Sequence, residues 1–342
     1  MEIINQKDLM LPLHSASVFQ ILRAGVELEI FEILHSKKKL SLKEIAKKTK
    51  LRIEPAKVQM IGMKEIGLVK LIKNKYRNCK AITKYFEKGE YNLFKKMALL
   101  QAYIMYLGQA YYVESLKLNT NIGINMYEGI GKTIYEKLSK NPKLGKIFYD
   151  YMEAYSAYAI PYLIKTLDLR NVKNLLDAGG GGGNNAIAIA KSNPEINIIL
   201  FELPHLKERV EINFKKNEVS NKAKFQSGDL FRDKFPKNQD CILYIHQLMI
   251  WGPEQNKLLL KKAYDSLNNK GKVVLFGSIG DHKKNSLMAA LDSVYFRAIA
   301  AGQGRIYPSA YYKKQLKEAG FKKVEIIHCD TWTPHGIIIG YK

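Results

Sequence analysis

The sequence predicts an α/β protein, a parallel sheet covered by helices, preceded by a basic segment that reads as a winged helix-turn-helix. Two observations carry the sheet. From Val172 onward short apolar runs (NLLDA, NIILFEL, CILYI, VVLFG) alternate with amphipathic segments, the pattern of strands joined by helical crossovers. The last stretch, VEIIHCDTWTPHGIIIGYK, has no room for a crossover helix and predicts a closing antiparallel hairpin. A third observation carries the N-terminal part: apolar side chains recur there at three- and four-residue intervals.

In chain order, residues 13–34 predict one amphipathic helix. The next helix starts at Ser41, with Glu44 three residues on as the partner of a capping box. A turn over residues 51–54 leads to a helix ending at Gly67, and two short strands meet across the polar turn Lys73 to Asn78. Such a module binds DNA or forms dimers. Its apolar second helix, with only Lys57, Gln59 and Lys64 as nucleic-acid readers, favours the dimer. Residues 91–168 predict helices rich in tyrosine, lining a core, a subunit contact or a ligand site. The domain boundary is expected between residues 110 and 111, in a helical linker.

At 342 residues and 39.1 kDa the chain has room for two domains, each with its own core. A composition 46% hydrophobic and 25% charged excludes wholesale disorder. No run approaches the ~18 apolar residues of a membrane span, and MEIINQKDLM lacks the pattern of a signal peptide, so a soluble cytoplasmic protein is expected. Cys79, Cys241 and Cys329 stand far apart with no CxxC pair, which argues against a disulfide framework and against the usual zinc spacings. No metal is expected. The net charge is +23, from 55 basic against 32 acidic residues, and only eight of the basic residues are arginine. That field attracts anions, but so marked a lysine excess also arises from nucleotide bias alone.

The chemistry concentrates in NLLDAGGGGGNNAIAIA. A buried strand ends at Asp177, a glycine loop follows over Gly179 to Gly183, and a helix begins near Asn184. Glycine lets a ligand approach the backbone, and the helix start presents free N–H groups. A dinucleotide fingerprint would need a third glycine where Asn184 or Asn185 stands. The spacing Asp177, Gly179, Gly181, Gly183 instead suits a ligand without phosphate. The next strand ends at Glu202, whose carboxylate is placed to accept from ribose hydroxyls, each charged hydrogen bond worth about 1.5–3 kcal/mol. The third delivers Asp229 for an adenine amino group, with Leu230 and Phe231 flanking the ring.

RAGVELEIFEIL, DAGGGGG, FELP, GDLF, WGPEQ and LKEAGF together resemble the small-molecule O-methyltransferases of the plant caffeate and bacterial polyketide type, class I enzymes dependent on S-adenosyl-L-methionine (SAM). The resemblance implies a Rossmann-like seven-stranded SAM methyltransferase domain over residues 111–342, preceded over 1–110 by an all-helical winged-helix dimerisation domain. It implies SAM as cofactor, held by Asp177, Gly179, Gly181, Glu202, Leu203, Asp229, Leu230, Phe231 and Ser156. It also implies a homodimer and a small-molecule substrate, with nucleic-acid binding and membrane insertion not expected.

Two departures bear on the acceptor. Where the family has a histidine as general base, IHQLMIWGPEQ places Met249, which takes no proton. His246, one helical turn earlier, is either a substitute base or a structural histidine. The helix VYFRAIAAGQGR places Arg297 where the family presents an apolar residue, so either a substrate carboxylate or an internal partner meets its guanidinium. The candidates for catalysis are therefore His246, Arg297 and Tyr155, and for acceptor binding Tyr151, Met152, Tyr155, Met249 and Arg297. Without the family base the acceptor atom is sulfur, as in a thioether hydroxy acid of dimethylsulfoniopropionate synthesis, or oxygen or carbon, on a small carboxylate-bearing metabolite. The alternatives are a DNA-binding regulator with a SAM-sensing domain, and an enzyme that retains SAM for another reaction.

Overall fold

The computed structural model describes residues 5, 6, 8–138 and 140–342; residues 1–4 and 7 of the N-terminal stretch considered above lie outside them. The chain divides into two compact units, Met1–Ile104 and Met105–Lys342, rather than between 110 and 111.

In the first unit the helix expected over residues 13–34 is broken in two, Ser15–Glu27 and Ile30–Lys37. Glu29 takes a left-handed φ of 53° at the break, which neither glycine nor proline announces. The helix Leu42–Thr49 starts as expected: Ser41 Oγ accepts the Glu44 N–H, and Glu44 Oε2 accepts the Ser41 N–H at 2.7 Å. The helix Ile53–Glu65 follows. Strands β1 (Val69–Ile72) and β2 (Lys75–Asn78) pair antiparallel. Their turn is shorter than the sequence implied, only Lys73 and Asn74, both at positive φ as a tight two-residue hairpin requires. This hairpin is the pair of short strands expected there, in a unit otherwise helical. Phe31, Ile45, Met60 and Met63 form its fully buried centre, and the Asn78 amide donates to the Phe31 carbonyl at 2.8 Å, tying the hairpin to that core.

The second unit is built on a seven-stranded sheet in the order β5-β4-β3-β6-β7-β9-β8. Its strands are β3 (Asn174–Ala178), β4 (Asn197–Glu202), β5 (Ala223–Ser227), β6 (Gln239–Ile245), β7 (Leu267–Ser278), β8 (Lys323–His328) and β9 (His335–Tyr341). Strands β3 to β7 run parallel, and β9 lies antiparallel to both β7 and β8, the closing hairpin expected from the sequence. Along the central strands successive residues enter opposite cores. Leu175, Cys241 and Leu243 pack with Ala186 and Val210, whereas Leu176, Ile242 and Tyr244 pack with Leu259 and Leu316. Burial on both faces explains why these strands read as unbroken apolar runs. The register sets Asp177 beside Leu200 of β4 and Leu243 of β6, so the carboxyl ends of the three strands lie together. Open sheets of this kind bind ligands at that edge.

Candidate functional site

Beyond Ala178 the chain turns through Gly179 to Gly183 and enters the helix Asn184–Ser192, starting where the sequence indicated. Gly181 has φ 57°, yet a Cβ there would meet nothing within 4 Å. Backbone conformation therefore requires the glycine, and open space lies above it. Glu202 Oε2 accepts the Gly181 N–H at 3.0 Å, and Oε1 accepts the Leu203 N–H at 2.8 Å. Burial raises the pKa of Glu202 and these two N–H groups pull it back. Asp177 is fully buried and neither carboxylate oxygen has a hydrogen-bond partner. Burial first, and the Glu202 charge second, push its pKa up to about 7. A Cβ at Gly180 would stand 2.4 Å from Asp177 Oδ2, so the loop closes over that carboxylate only because residue 180 is glycine.

Two desolvated carboxylates beside a glycine loop repel a phosphate and suit a cationic ligand bearing hydroxyl groups. The sulfonium and ammonium charges and ribose hydroxyls of SAM match that chemistry, and the unpartnered Asp177 oxygens are the observation of fit. Asp229 is already engaged: Oδ1 accepts the N–H groups of Phe231 at 2.7 Å and Arg232 at 3.3 Å. That turn sets Leu230 and Phe231 half-buried at the end of β5, with Phe231 edge-on to Trp251 at 4.8 Å.

A second group of side chains gathers at the ends of β6, β7 and β9. The helix Pro142–Thr166 carries Tyr151 and Tyr155 one turn apart, their rings stacked at 5.3 Å. The Tyr155 ring lies 5.0 Å from His246 and 4.7 Å from His335, and its hydroxyl is 3.3 Å from Ser278 Oγ. His246 follows β6 at a left-handed φ of 56° while its N–H donates to the Phe276 carbonyl, so strain is held where the strand leaves the sheet. Nε2 of both histidines is buried without a partner; Nδ1 of His335 is 2.6 Å from Thr333 Oγ1. Burial lowers the His246 pKa to about 4 and that of His335 well below its usual value, so both rings are neutral at pH 7. Met152 and Ser156 stand half-buried on the neighbouring face of the same helix.

Met249 is buried; a Cβ at Gly277 would come within 2.4 Å of its Cε. Arg297 has an internal partner, one of the two alternatives its position left open. Its Nη1 donates to Asn119 Oδ1 and to the Gly302 carbonyl, both at 2.7 Å, so the chain itself satisfies the guanidinium edge expected to meet a substrate carboxylate. Three residues escaped the sequence argument. The Gln247 amide donates to the Gly179 carbonyl at 2.8 Å, bracing the glycine loop from β6. His335 enters an otherwise apolar strand, and Asp292 is the one charged residue of the helix Ser286–Tyr295; those two oddities were visible signals. Asp292 is half-buried and acts electrostatically on Tyr151 and Tyr155.

The O-methyltransferase domain family matches residues 113–322. The chain is 35% identical over 333 residues to an L-tyrosine C(3)-methyltransferase of Streptomyces lavendulae, covering 96% of this chain and 91% of the relative. The apo crystal structure of the S-adenosylmethionine-dependent methyltransferase SibL superposes with a TM-score of 0.87 at 33% identity over 99% of both chains. Human N-acetylserotonin methyltransferase in complex with SAM shares the fold, with a TM-score of 0.80 at 17% identity over 100% of this chain and 99% of that one. No helix among the described residues is long and apolar enough to cross a membrane. Glycine loop, strand-end carboxylates and these similarities agree: the chain belongs to the class I SAM-dependent O-methyltransferase family and is a methyltransferase acting on a small molecule.

Proposed function

We propose that the enzyme methylates a ring carbon of a small phenolic amino acid, next to the carbon that bears the hydroxyl, with L-tyrosine as the acceptor to test. The observation that carries this reading is the 35% identity, across nearly the whole of both chains, with a relative named for methylation at C3 of L-tyrosine. Met249 at the family's base position agrees with it, since an ortho ring carbon takes a methyl group without being the atom that loses the hydroxyl proton. A carboxylate-bearing acceptor is retained; a thioether acid and a simple oxygen acceptor become the competing outcomes.

SAM supplies an electrophilic methyl group on a cationic sulfur. In this proposal Glu202 accepts from its ribose hydroxyls, and Asp177, with Gly179, Gly181 and Ser156, faces its methionine end. Leu203, Leu230 and Phe231 border the adenine, and Asp229 takes its amino group through the oxygen that the turn leaves less engaged. Tyr151, Met152 and Tyr155 form the aromatic wall of the acceptor site, and His246 holds the Tyr155 ring. Placing carbon and methyl about 3 Å apart provides much of the rate. Exposed Val58, 71% accessible, and Ile61, 47% accessible, support a homodimer through a winged helix in the first unit, in the cytoplasm.

The test is incubation with methyl-deuterated SAM and, separately, L-tyrosine, a methylthio hydroxy acid and simple phenols, followed by mass spectrometry and NMR of the products. Label on the ring carbon beside the tyrosine hydroxyl is expected. Label on oxygen or sulfur, with none on carbon, would overturn the proposal.

A further inference from the structure

Three acids stand in a row along one edge of the sheet. Strands β5, β4 and β3 are neighbours in that order, with Asp229, Glu202 and Asp177 at or just beside their carboxyl ends. With adenine at the first and ribose at the second, the amino-acid end of SAM, which bears the ammonium, falls to the third. Asp177 has no exposed surface, and the loop closes on it so tightly that a Cβ at Gly180 would stand 2.4 Å from its Oδ2. Neither of its oxygens has a hydrogen-bond partner among the described residues. The titratable groups around it offer no relief. Glu202 of β4 adds a like charge. Arg209, on the helix Lys207–Lys216, lies over the Tyr149 ring at 4.5 Å, beside Gly182, and makes no hydrogen bond to Asp177. From β6 come only Leu243, its register neighbour, and the neutral Gln247, whose amide is spent on the Gly179 carbonyl. The helix Asn184–Ser192 has Lys191 alone as a charged residue, in its last turn. An ionised carboxylate so placed is costly, and such a group holds a proton instead; burial and the Glu202 charge push its pKa up to about 7.

We propose that Asp177 is an uncharged acid in the cofactor-free enzyme and gives up its proton when the ammonium of SAM reaches the glycine loop, so that cofactor uptake and proton release are one event. The inference rests on the cofactor placement above and not on the identity of the acceptor. The O–H bond of the carboxyl group breaks, its electron pair stays on the carboxylate, and the proton leaves for solvent. A cation within about 4–6 Å favours the ionised form, and ribose hydroxyls donating to Glu202 draw off the neighbouring charge that opposes it. The free enzyme then holds one proton more than the complex, so SAM affinity rises with pH until the free acid has titrated and is level above. An adenosine ligand without a cation leaves the proton in place.

The experiment is calorimetric titration of the full chain near pH 6 in two buffers of different ionisation enthalpy, which counts the protons exchanged on binding. The ligands are SAM, S-adenosylhomocysteine and methylthioadenosine. SAM and S-adenosylhomocysteine both carry the ammonium, and each is expected to release up to about one proton; methylthioadenosine, with neither ammonium nor sulfonium, should release none. Wild-type affinity for SAM should rise by up to about tenfold per pH unit from about pH 5 towards 7, then level off. Asp177→Asn should bind SAM without releasing a proton and with an affinity that stays flat over that range. The comparison of SAM with methylthioadenosine on wild type carries the test if that variant does not fold. SAM binding without proton release would overturn the inference, as would release with SAM but not with S-adenosylhomocysteine, or equal release with methylthioadenosine. The same release from Asp177→Asn would assign the proton to Glu202 and would overturn it too. Failure of wild type to bind SAM at all would instead overturn the cofactor placement beneath it.

Discussion

Glu202, the last residue of β4, accepts the backbone N–H of Gly181 at 3.0 Å. One carboxylate therefore ties a strand end to the glycine loop. Each of its oxygens already accepts one N–H, and a carboxylate has about four lone-pair directions, so capacity for two hydroxyls remains. Glu202→Ala is expected to weaken SAM binding by about 10- to 100-fold, the equivalent of about 1.4–2.8 kcal/mol. Calorimetric titration checks this, and unchanged affinity would remove Glu202 from the cofactor site.

Asp177 makes a pH prediction. Its folded pKa, near 7, lies above the usual carboxylate value. The group thus favours folding fully below about pH 4 and loses that contribution as pH rises to 7, at about 1.4 kcal/mol per unit. Asp177→Asn removes the charge and keeps the shape. The ligand-free variant should melt at higher temperature than wild type above pH 7, and the difference should vanish near pH 4. Thermal melts at several pH values test it; a difference independent of pH would contradict the assignment.

Gly228 precedes Asp229 at the end of β5, and a Cβ there would stand 2.0 Å from the Phe201 ring, itself fully buried. Gly228→Ala is expected to destabilise the protein by about 1–3 kcal/mol through overpacking, and to weaken SAM binding by displacing the Asp229 turn. Urea unfolding with a cofactor titration measures both.

Arg297 holds Asn119 and the Gly302 carbonyl together. Arg297→Ala should lower stability by about 1–3 kcal/mol and leave the KM for the amino-acid acceptor unchanged. A large rise in KM without loss of stability would return Arg297 to the acceptor site.

The glycine loop and the carboxylates beside it were legible because their requirements are local. Gly181 at positive φ, and Asp177, Glu202 and Asp229 at or just beside the ends of β3, β4 and β5, declare themselves within a few residues, as does the capping box at Ser41 in the first unit. The break at Glu29 was not legible, since tertiary packing holds a non-glycine residue left-handed there. Nor was the cluster of side chains around Tyr155. Tyr155, His246, Ser278 and His335 meet only because β6, β7 and β9 are neighbours in the sheet, a relationship between distant segments. Arg297 shows the same limit, because its partner Asn119 lies far off in sequence.

The most direct measurement is a crystal structure of the enzyme with S-adenosylhomocysteine and L-tyrosine. The tyrosine ring should lie against Tyr151 and Tyr155, with the ring carbon next to its hydroxyl turned to the sulfur. A structure in which the hydroxyl oxygen or the amino group faces the sulfur would contradict the account.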